Sequence, residues 1–211
     1  MKDFYWLGGK VAEASEEAPD TNNILFISDS GESDDKIERI DNRIYFYSEI
    51  TRPKILDLNK ELRALNMEII NSAKRLNSEI VNIYLHISSY GGSVFAGLTA
   101  MDYVKKSEIP VVSIVDGCVA SAATLISVVA NQRLIHENSF MLIHQLSSGM
   151  WGNYEALKDS MENCDTLMET IRGIYSKHTK IPKKQLNDIL QRDLWFDAET
   201  CLKYGLVDEI I

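Results

Sequence analysis

The sequence predicts an α/β fold with a mostly parallel sheet, and two patterns carry that prediction. Short runs of β-branched and apolar residues alternate with longer segments whose apolar residues recur every three or four positions. Strands that alternate with helices in this way form parallel sheets covered on both faces. A chain of 211 residues can enclose a substantial core within one domain.

The first predicted strand covers residues 43–48, which are rich in β-branched and aromatic side chains. A helix follows, with Pro53 in its first turn and one apolar face running from Ile55 to Leu76. Residues 80–87 are almost continuously apolar, which is typical of a strand buried on both sides of a sheet.

The pair Gly91-Gly92 predicts a turn into a helix over residues 94–105. The next strand covers 110–115, and Asp116-Gly117 is predicted to be a turn. Small and apolar residues then favour a helix over 121–130.

The second half continues the alternation. Strands are predicted over 133–135 and 140–144, and a long amphipathic helix over 154–175 could offer its apolar face to another subunit. The remaining predicted elements are a helix after Pro182, a strand at 194–196, a helix beginning at Asp197 and a closing strand at 206–211.

Acidic residues are concentrated near the N-terminus. The net charge is −9, and residues 12–38 account for −8 of it, with nine acids and one lysine. We therefore expect residues 1–41 to form an acidic, partly mobile arm and residues 42–211 to form the single domain. No basic cluster indicates a nucleic-acid partner.

Cysteine and hydropathy patterns indicate a cytoplasmic protein without a metal centre. The three cysteines show no Cys-x-x-Cys pair, and the four histidines show no paired metal-ligand spacing. No apolar run is long enough to span a membrane, and the first residues do not have the form of a secretory signal.

Three separated residues form a candidate serine-hydrolase triad, namely Ser121, His144 and Asp193. A serine hydroxyl needs an adjacent base, an orienting group for that base, and donors for the oxyanion. Taken singly, each residue has a structural alternative: Ser121 as a helix N-cap, His144 as a satisfied strand-end residue, and Asp193 as a salt-bridge partner. The Gly91 amide, with that of Ala122, could supply the oxyanion donors, although Gly91-Gly92 could equally be a plain tight turn.

Five motifs in collinear order resemble the proteolytic subunit of the Clp protease family. They are Ser89-Tyr90-Gly91-Gly92-Ser93-Val94, Gly117-Cys118-Val119-Ala120-Ser121, Met141-Leu142-Ile143-His144-Gln145, Arg192-Asp193 followed by Trp195-Phe196, and Tyr204-Gly205-Leu206-Val207-Asp208. The resemblance covers roughly residues 42–211. Departures include Tyr90 and Leu146 in place of prolines, Ala122 in place of methionine, and the long acidic arm.

The resemblance implies a serine endopeptidase with a crotonase-like spiral of β-β-α units and a protruding handle helix. Ser121 would be the nucleophile, His144 the general base and Asp193 its orienting partner, while the Gly91 and Ala122 amides would bind the oxyanion. The subunits would form heptameric rings stacked in pairs through the handle helix. The subunit itself would need no cofactor or metal, because ATP would be used by a partner AAA+ unfoldase that feeds in protein substrates.

Three alternatives remain open at this stage. The fragment Met150-Trp151-Gly152-Asn153 also resembles phage head-maturation proteases, which process capsid or scaffold proteins without an ATPase. The same fold serves acyl-CoA chemistry, although that chemistry needs no Ser–His–Asp set. A non-catalytic structural ring subunit would be expected to have lost a triad member.

Overall fold

The computed structural model describes residues 5–6 and 36–211, and a mostly parallel sheet forms its centre. The strands of this sheet are β2 (Lys36–Ile40), β3 (Arg43–Tyr47), β4 (Ile83–Ser89), β6 (Val111–Ala120), β7 (Gln132–Ile135), β8 (Phe140–Leu142) and β9 (Glu209–Ile210). Their order is β2-β3-β4-β6-β7-β9, with β8 paired to the distal part of β6. The pairing of β2 with β3 is antiparallel and every other pairing in the sheet is parallel, as the sequence predicts.

Two further strands form a separate antiparallel pair. They are β1 (Tyr5–Trp6) and β5 (Gly92–Ser93), with Tyr5 opposite Ser93 and Trp6 opposite Gly92. On its other side β5 is joined to Ile50, whose carbonyl accepts the Ser93 N–H at 2.8 Å. Of the predicted acidic arm, residues 1–41, the structure describes only β1 and residues 36–41. Within this described part, β2 joins the sheet.

The helices are α1 (Arg52–Leu76), α2 (Val94–Lys105), α3 (Ala122–Ser127), α4 (Tyr154–His178), α5 (Lys183–Leu190) and α6 (Ala198–Lys203). The first begins where the Thr51 side chain accepts the Lys54 N–H, with Pro53 in the first turn as predicted. Its buried face ends at Ile69, and Leu76 is 66% exposed, so the prediction of a buried face through Leu76 was wrong for the last turn.

Strand β6 differs most from the prediction. The predicted turn at Asp116-Gly117 was wrong, because the strand continues through both residues. Gly117 adopts a φ of 67° inside the strand, and the register with β4 shifts there. Ile87 pairs with Val115, but Ser89 pairs with Val119, so β6 has extra residues at this bulge. The bulge carries the strand onward to pair with β8, which brings the chain to Ser121 beside the residues that precede His144.

The core lies between this sheet and the helices. Its largest fully buried side chains include Phe46, Ile55, Leu58, Leu85 and Tyr175. The predicted strands at 194–196 and 206–211 are shorter in the structure: the first is a single bridge between Phe196 and Met141, and the second is β9 alone. No helix in the described part of the chain is both long and apolar enough to cross a membrane.

Candidate active site

Ser121 occupies a strained turn between β6 and α3. Its φ of 59° and ψ of −132° lie in a region that residues other than glycine rarely adopt. The Ser121 N–H donates to the Leu142 carbonyl at 2.8 Å, which ties the turn to the end of β8. The Ser121 side chain makes no cap hydrogen bond to α3, so the structure does not support the alternative interpretation of this serine as a helix N-cap.

Gly91 packs directly against Ser121. A Cβ atom at position 91 would lie 2.5 Å from the Ser121 Cβ and 2.8 Å from its Oγ, and Gly91 has a φ of 103°. No side chain fits there, and the backbone conformation also disfavours any residue but glycine. The Gly91-Gly92 pair is therefore more than a plain turn, because it brings bare backbone against the candidate nucleophile.

His144 follows β8 by two residues and is buried, with 5% of its surface exposed. Parallel pairing of β8 with β6 sets Ala120 opposite Leu142, so the two chain segments leave the sheet side by side at Ser121 and Ile143. Burial lowers the pKa of His144 below its ordinary value, and the nearby Asp193 carboxylate opposes that shift without reversing it. A lowered pKa keeps the imidazole neutral near pH 7, which is the form that can accept a proton.

Asp193 meets His144 from a loop between α5 and α6. Its Oδ1 lies 3.0 Å from Nδ1 of His144. The loop is fixed at both ends, because Gln145 N–H donates to the Leu190 carbonyl at 2.6 Å and Phe196 exchanges two backbone hydrogen bonds with Met141.

The same loop also contacts the Gly91-Gly92 turn. The ring of Trp195 packs edge-on against Tyr90, with 6.3 Å between ring centroids. Tyr90 immediately precedes Gly91, so this aromatic pair joins the loop of Asp193 to the turn beside Ser121.

Two backbone amides lie near Ser121. Ala122 is the first residue of α3, and the first N–H groups of a helix have no acceptor within it. The Gly91 N–H donates to Ser89 Oγ at 3.2 Å, at the long end of the range for such bonds. The Ala122 N–H thus has no acceptor within α3, whereas the Gly91 N–H is engaged by Ser89.

Sequence reasoning missed a buried pair of hydroxyls behind Ser121. Thr124 Oγ1 lies 2.6 Å from the Ser121 carbonyl and 2.6 Å from the hydroxyl of Tyr175 on α4. These residues belong to none of the five motifs and are 51 positions apart, so no local pattern could have joined them.

A second histidine–carboxylate cluster lies on β4, β6 and the end of β7, and it was also missed. Asp116 is approached by Nδ1 of His86 at 2.9 Å, by Nε2 of His136 at 3.2 Å and by the Tyr47 hydroxyl at 2.6 Å. From the sequence, His86 and His136 enter only as possible metal ligands, and they show no paired ligand spacing. Among the described residues no group of three or more histidine, cysteine or acidic side chains could hold a metal ion.

Comparison with known proteins identifies the family. The family model described as Clp protease matches residues 34–211 of this chain. The chain belongs to the Clp protease family. The match begins just before β2 and runs to the last residue of the chain.

Several Clp relatives align with this chain. The ATP-dependent Clp protease proteolytic subunit of Deinococcus radiodurans is 34% identical over 61% of this chain, and the match spans 64% of that protein's length, somewhat under two thirds. Its counterpart in Streptococcus mutans is 36% identical over 62% of this chain and 68% of that protein. The proteolytic subunit 2 of Treponema denticola is 31% identical over 76% of this chain and 82% of that protein.

The fold also matches a solved Clp structure. The N165D mutant of ClpP1 from Listeria monocytogenes superposes with a TM-score of 0.68 at 26% identity, covering 81% of this chain and 91% of that one. The family resemblance and the mixed α/β fold predicted from the sequence are confirmed. The names of the Clp relatives support the predicted function of a proteolytic subunit, and they favour neither the phage-type alternative nor the structural one.

Proposed function

We propose that this chain is a serine endopeptidase, the proteolytic subunit of a Clp-type protease, with Ser121 as its nucleophile. One observation carries the proposal: the 3.0 Å contact between His144 and Asp193 lies next to a strained serine that packs against the bare backbone of Gly91. A structural ring subunit would have no need for this arrangement.

In the proposed reaction the Ser121 Oγ attacks the carbonyl carbon of a peptide bond as Nε2 of His144 removes the hydroxyl proton. Because Nδ1 of His144 is held by Asp193, the ring is fixed in the tautomer whose Nε2 accepts that proton. The carboxylate also stabilises the imidazolium that forms. His144 then donates the proton to the leaving amine, which leaves an acyl-enzyme on Ser121.

The second half of the reaction reverses these roles for water. His144 removes a proton from a water molecule, the resulting hydroxide attacks the acyl carbonyl, and the proton returns to the Ser121 oxygen as the ester bond breaks. In both halves the negative oxygen of the tetrahedral intermediate would accept hydrogen bonds from the N–H groups of Ala122 and Gly91. For Gly91 this requires its amide to leave the long bond to Ser89 Oγ.

The pairing of β5 supports extended peptides as the substrate class. Its edge accepts an antiparallel strand from the chain's own N-terminus, with Trp6 opposite Gly92, so backbone groups next to the site can pair with an extended peptide. Recognition by strand addition uses main-chain hydrogen bonds and therefore tolerates many side-chain sequences.

We also propose ring assembly through α4 and a partner ATPase. Trp151, which lies just before this helix, and Tyr154, its first residue, are 93% and 76% exposed. Met161 is 53% exposed, and such exposure is unusual for large apolar side chains. A second subunit would cover them. The names of these relatives describe an ATP-dependent protease. For this chain we propose a partner unfoldase that uses the ATP, and we also expect a cytoplasmic location.

A fluorophosphonate that labels activated serines tests the proposal. We expect one adduct on Ser121, mapped by peptide mass, and its loss in Ser121→Ala and His144→Ala. Ser78→Ala, at an exposed position after α1, is the control and should label like the unmodified protein. Labelling that survives in His144→Ala at the original rate would rule out the proposed base. A complete absence of labelling and of peptide hydrolysis in assembled rings would contradict the enzyme function itself.

A further inference from the structure

A line of three buried polar groups connects the long helix α4 to the peptide of Ser121. The Thr124 hydroxyl lies 2.6 Å from the Ser121 carbonyl oxygen, and the Tyr175 hydroxyl lies 2.6 Å from Thr124 Oγ1. Ser121 is 1% exposed, and both Thr124 and Tyr175 are completely buried. Buried hydroxyls are costly unless they are paired, so these contacts are a specific arrangement of the interior.

The direction of each hydrogen bond follows from counting protons. The Thr124 hydroxyl has one hydrogen, and the Ser121 carbonyl can only accept, so Thr124 donates to that carbonyl. The Tyr175 hydroxyl must then donate to Thr124 Oγ1. Burial raises the pKa of Tyr175 above its ordinary value, which keeps the phenol protonated as this direction requires.

The carbonyl held by Thr124 belongs to the same peptide unit as the Ala122 N–H. In a planar trans peptide the C=O and N–H groups point in opposite directions. The Ser121 carbonyl accepts both the Thr124 hydroxyl and the Thr124 N–H, the latter at 3.0 Å. Holding this oxygen toward α3 and α4 therefore turns the Ala122 N–H away from the core.

The turn needs such support because its conformation is strained. A non-glycine residue at a φ of 59° and a ψ of −132° is energetically unfavourable and persists only where its surroundings hold it. The N–H of Ser121 is held by Leu142, and its carbonyl by Thr124. The N–H and the carbonyl of Ser121 are thus held by different elements, β8 and α3. Tyr175 of α4 in turn contacts the hydroxyl that holds the carbonyl.

We propose that Thr124 and Tyr175 are positioning residues that orient the Ala122 N–H as an oxyanion donor by holding the Ser121 carbonyl. This inference rests on the proposed function, because an oxyanion forms only if Ser121 acts as the nucleophile. Neither side chain touches the substrate, and both act through the backbone. Orienting the Ala122 N–H stabilises the transition state, where the carbonyl oxygen of the substrate becomes negative, and does not strengthen substrate binding.

Nearly isosteric variants test the role in the assembled protein. Thr124→Val replaces the hydroxyl with a methyl group, and Tyr175→Phe removes one oxygen from the buried ring. We expect each to lower kcat for a peptide substrate by about 10- to 100-fold with KM within about twofold, because a misdirected oxyanion donor loses part of its usual 10²–10³-fold effect. Thr124→Ser keeps the hydroxyl donor and loses only one methyl group, so we expect its kcat to stay within about threefold of the unmodified protein's.

The pH profile separates this role from an effect on the triad. The acid limb of kcat/KM reports His144, so its midpoint should stay unchanged in Thr124→Val and Tyr175→Phe while the plateau falls. Tyr103→Phe, which removes a phenol that is on α2 and 48% exposed, is the control and should leave kcat as it is.

Three results would overturn the inference: wild-type kcat in both Thr124→Val and Tyr175→Phe, a change confined to KM, or equal losses in Thr124→Ser and Thr124→Val. The last would show that packing at position 124 matters and the hydroxyl does not. An unmodified protein that neither labels at Ser121 nor cleaves peptides would instead refute the proposed function, and the inference with it. Activity in the unmodified protein together with unaffected variants would refute the inference alone.

Discussion

Asp193 Oδ1 lies 3.0 Å from Nδ1 of His144, although the two side chains differ greatly in exposure, at 62% for the aspartate and 6% for the histidine. The site therefore joins a solvated carboxylate to a buried imidazole. The carboxylate comes from a loop that is held by backbone bonds at Leu190 and Phe196, so its position depends on the packing of α5 and on β8.

Replacement of Asp193 by asparagine should be severe for catalysis. The side-chain amide of the asparagine could donate to Nδ1 and hold His144 in the wrong tautomer, so we expect kcat to fall by about 10⁴-fold. The measurement is peptide hydrolysis under saturating substrate. Asp188→Asn, an exposed acid on α5, should retain full kcat. A loss of less than about tenfold in Asp193→Asn would remove that residue from the proposed triad.

The pH dependence of activity should reflect the burial of His144. The base works when neutral, so kcat/KM should fall as pH drops through its pKa, and burial places that pKa below the usual value of about 6.5. Because Asp193 favours the charged imidazole, Asp193→Asn should move the acid limb to still lower pH. The rate of fluorophosphonate labelling across pH 4–8, measured in the unmodified protein and in Asp193→Asn, checks both expectations. An acid limb centred above pH 7 in the unmodified protein would contradict the assignment of His144 as the base.

Gly91→Ala should abolish most activity without unfolding the chain. The added methyl would lie 2.5 Å from the Ser121 Cβ, so the turn must move, and displacements of about 1 Å commonly cost about 100-fold in rate. Gly173→Ala on α4 is the matched control, because a methyl group there meets nothing within 4 Å. Peptide hydrolysis and circular dichroism distinguish the two, and wild-type turnover in Gly91→Ala would contradict the close approach.

The Asp116 cluster should contribute to stability in a pH-dependent way. Burial acts to raise the pKa of Asp116, but hydrogen bonds from His86 and Tyr47 outweigh it and hold the pKa below its usual value. A lowered folded-state pKa stabilises the protein above the unfolded-state value of about 3.9, and this stabilisation is lost as pH falls through the folded-state pKa.

Asp116→Asn should therefore lower the Tm at pH 7 by about 3 °C or more, with the difference shrinking as the pH falls below about 4. Thermal unfolding followed by circular dichroism at pH 7 and pH 3 measures it. Asp57→Asn is the control, because this acid pairs with Lys60 on the exposed face of α1. A Tm difference that stayed constant across this range would show that the carboxylate charge is not the cause.

Periodicity predicted most helices well because each carries its own local signal. The bounds of α2 agree with the prediction, and α4 begins at the predicted Tyr154 and runs to His178, three residues beyond the predicted end. The bulge at Asp116-Gly117 could not be predicted in this way, because Asp-Gly is a common turn pair and the β4 pairings on either side of it, at Val115 and Val119, form only in the folded sheet.

The candidate triad was recognisable from the sequence because its members sit in ordered motifs, each bounded by residues of defined type. By itself the sequence determined the alternation of strands and helices, the family, and the identity of Ser121, His144 and Asp193 as candidates. The tertiary structure alone decided how these elements meet, such as the contact of Gly91 with Ser121 and the hydroxyls of Thr124 and Tyr175 beneath it. The physical reason is that periodicity and turn chemistry act over a few residues. Hydrogen bonds and close packing between distant segments exist only once the sheet has brought them together.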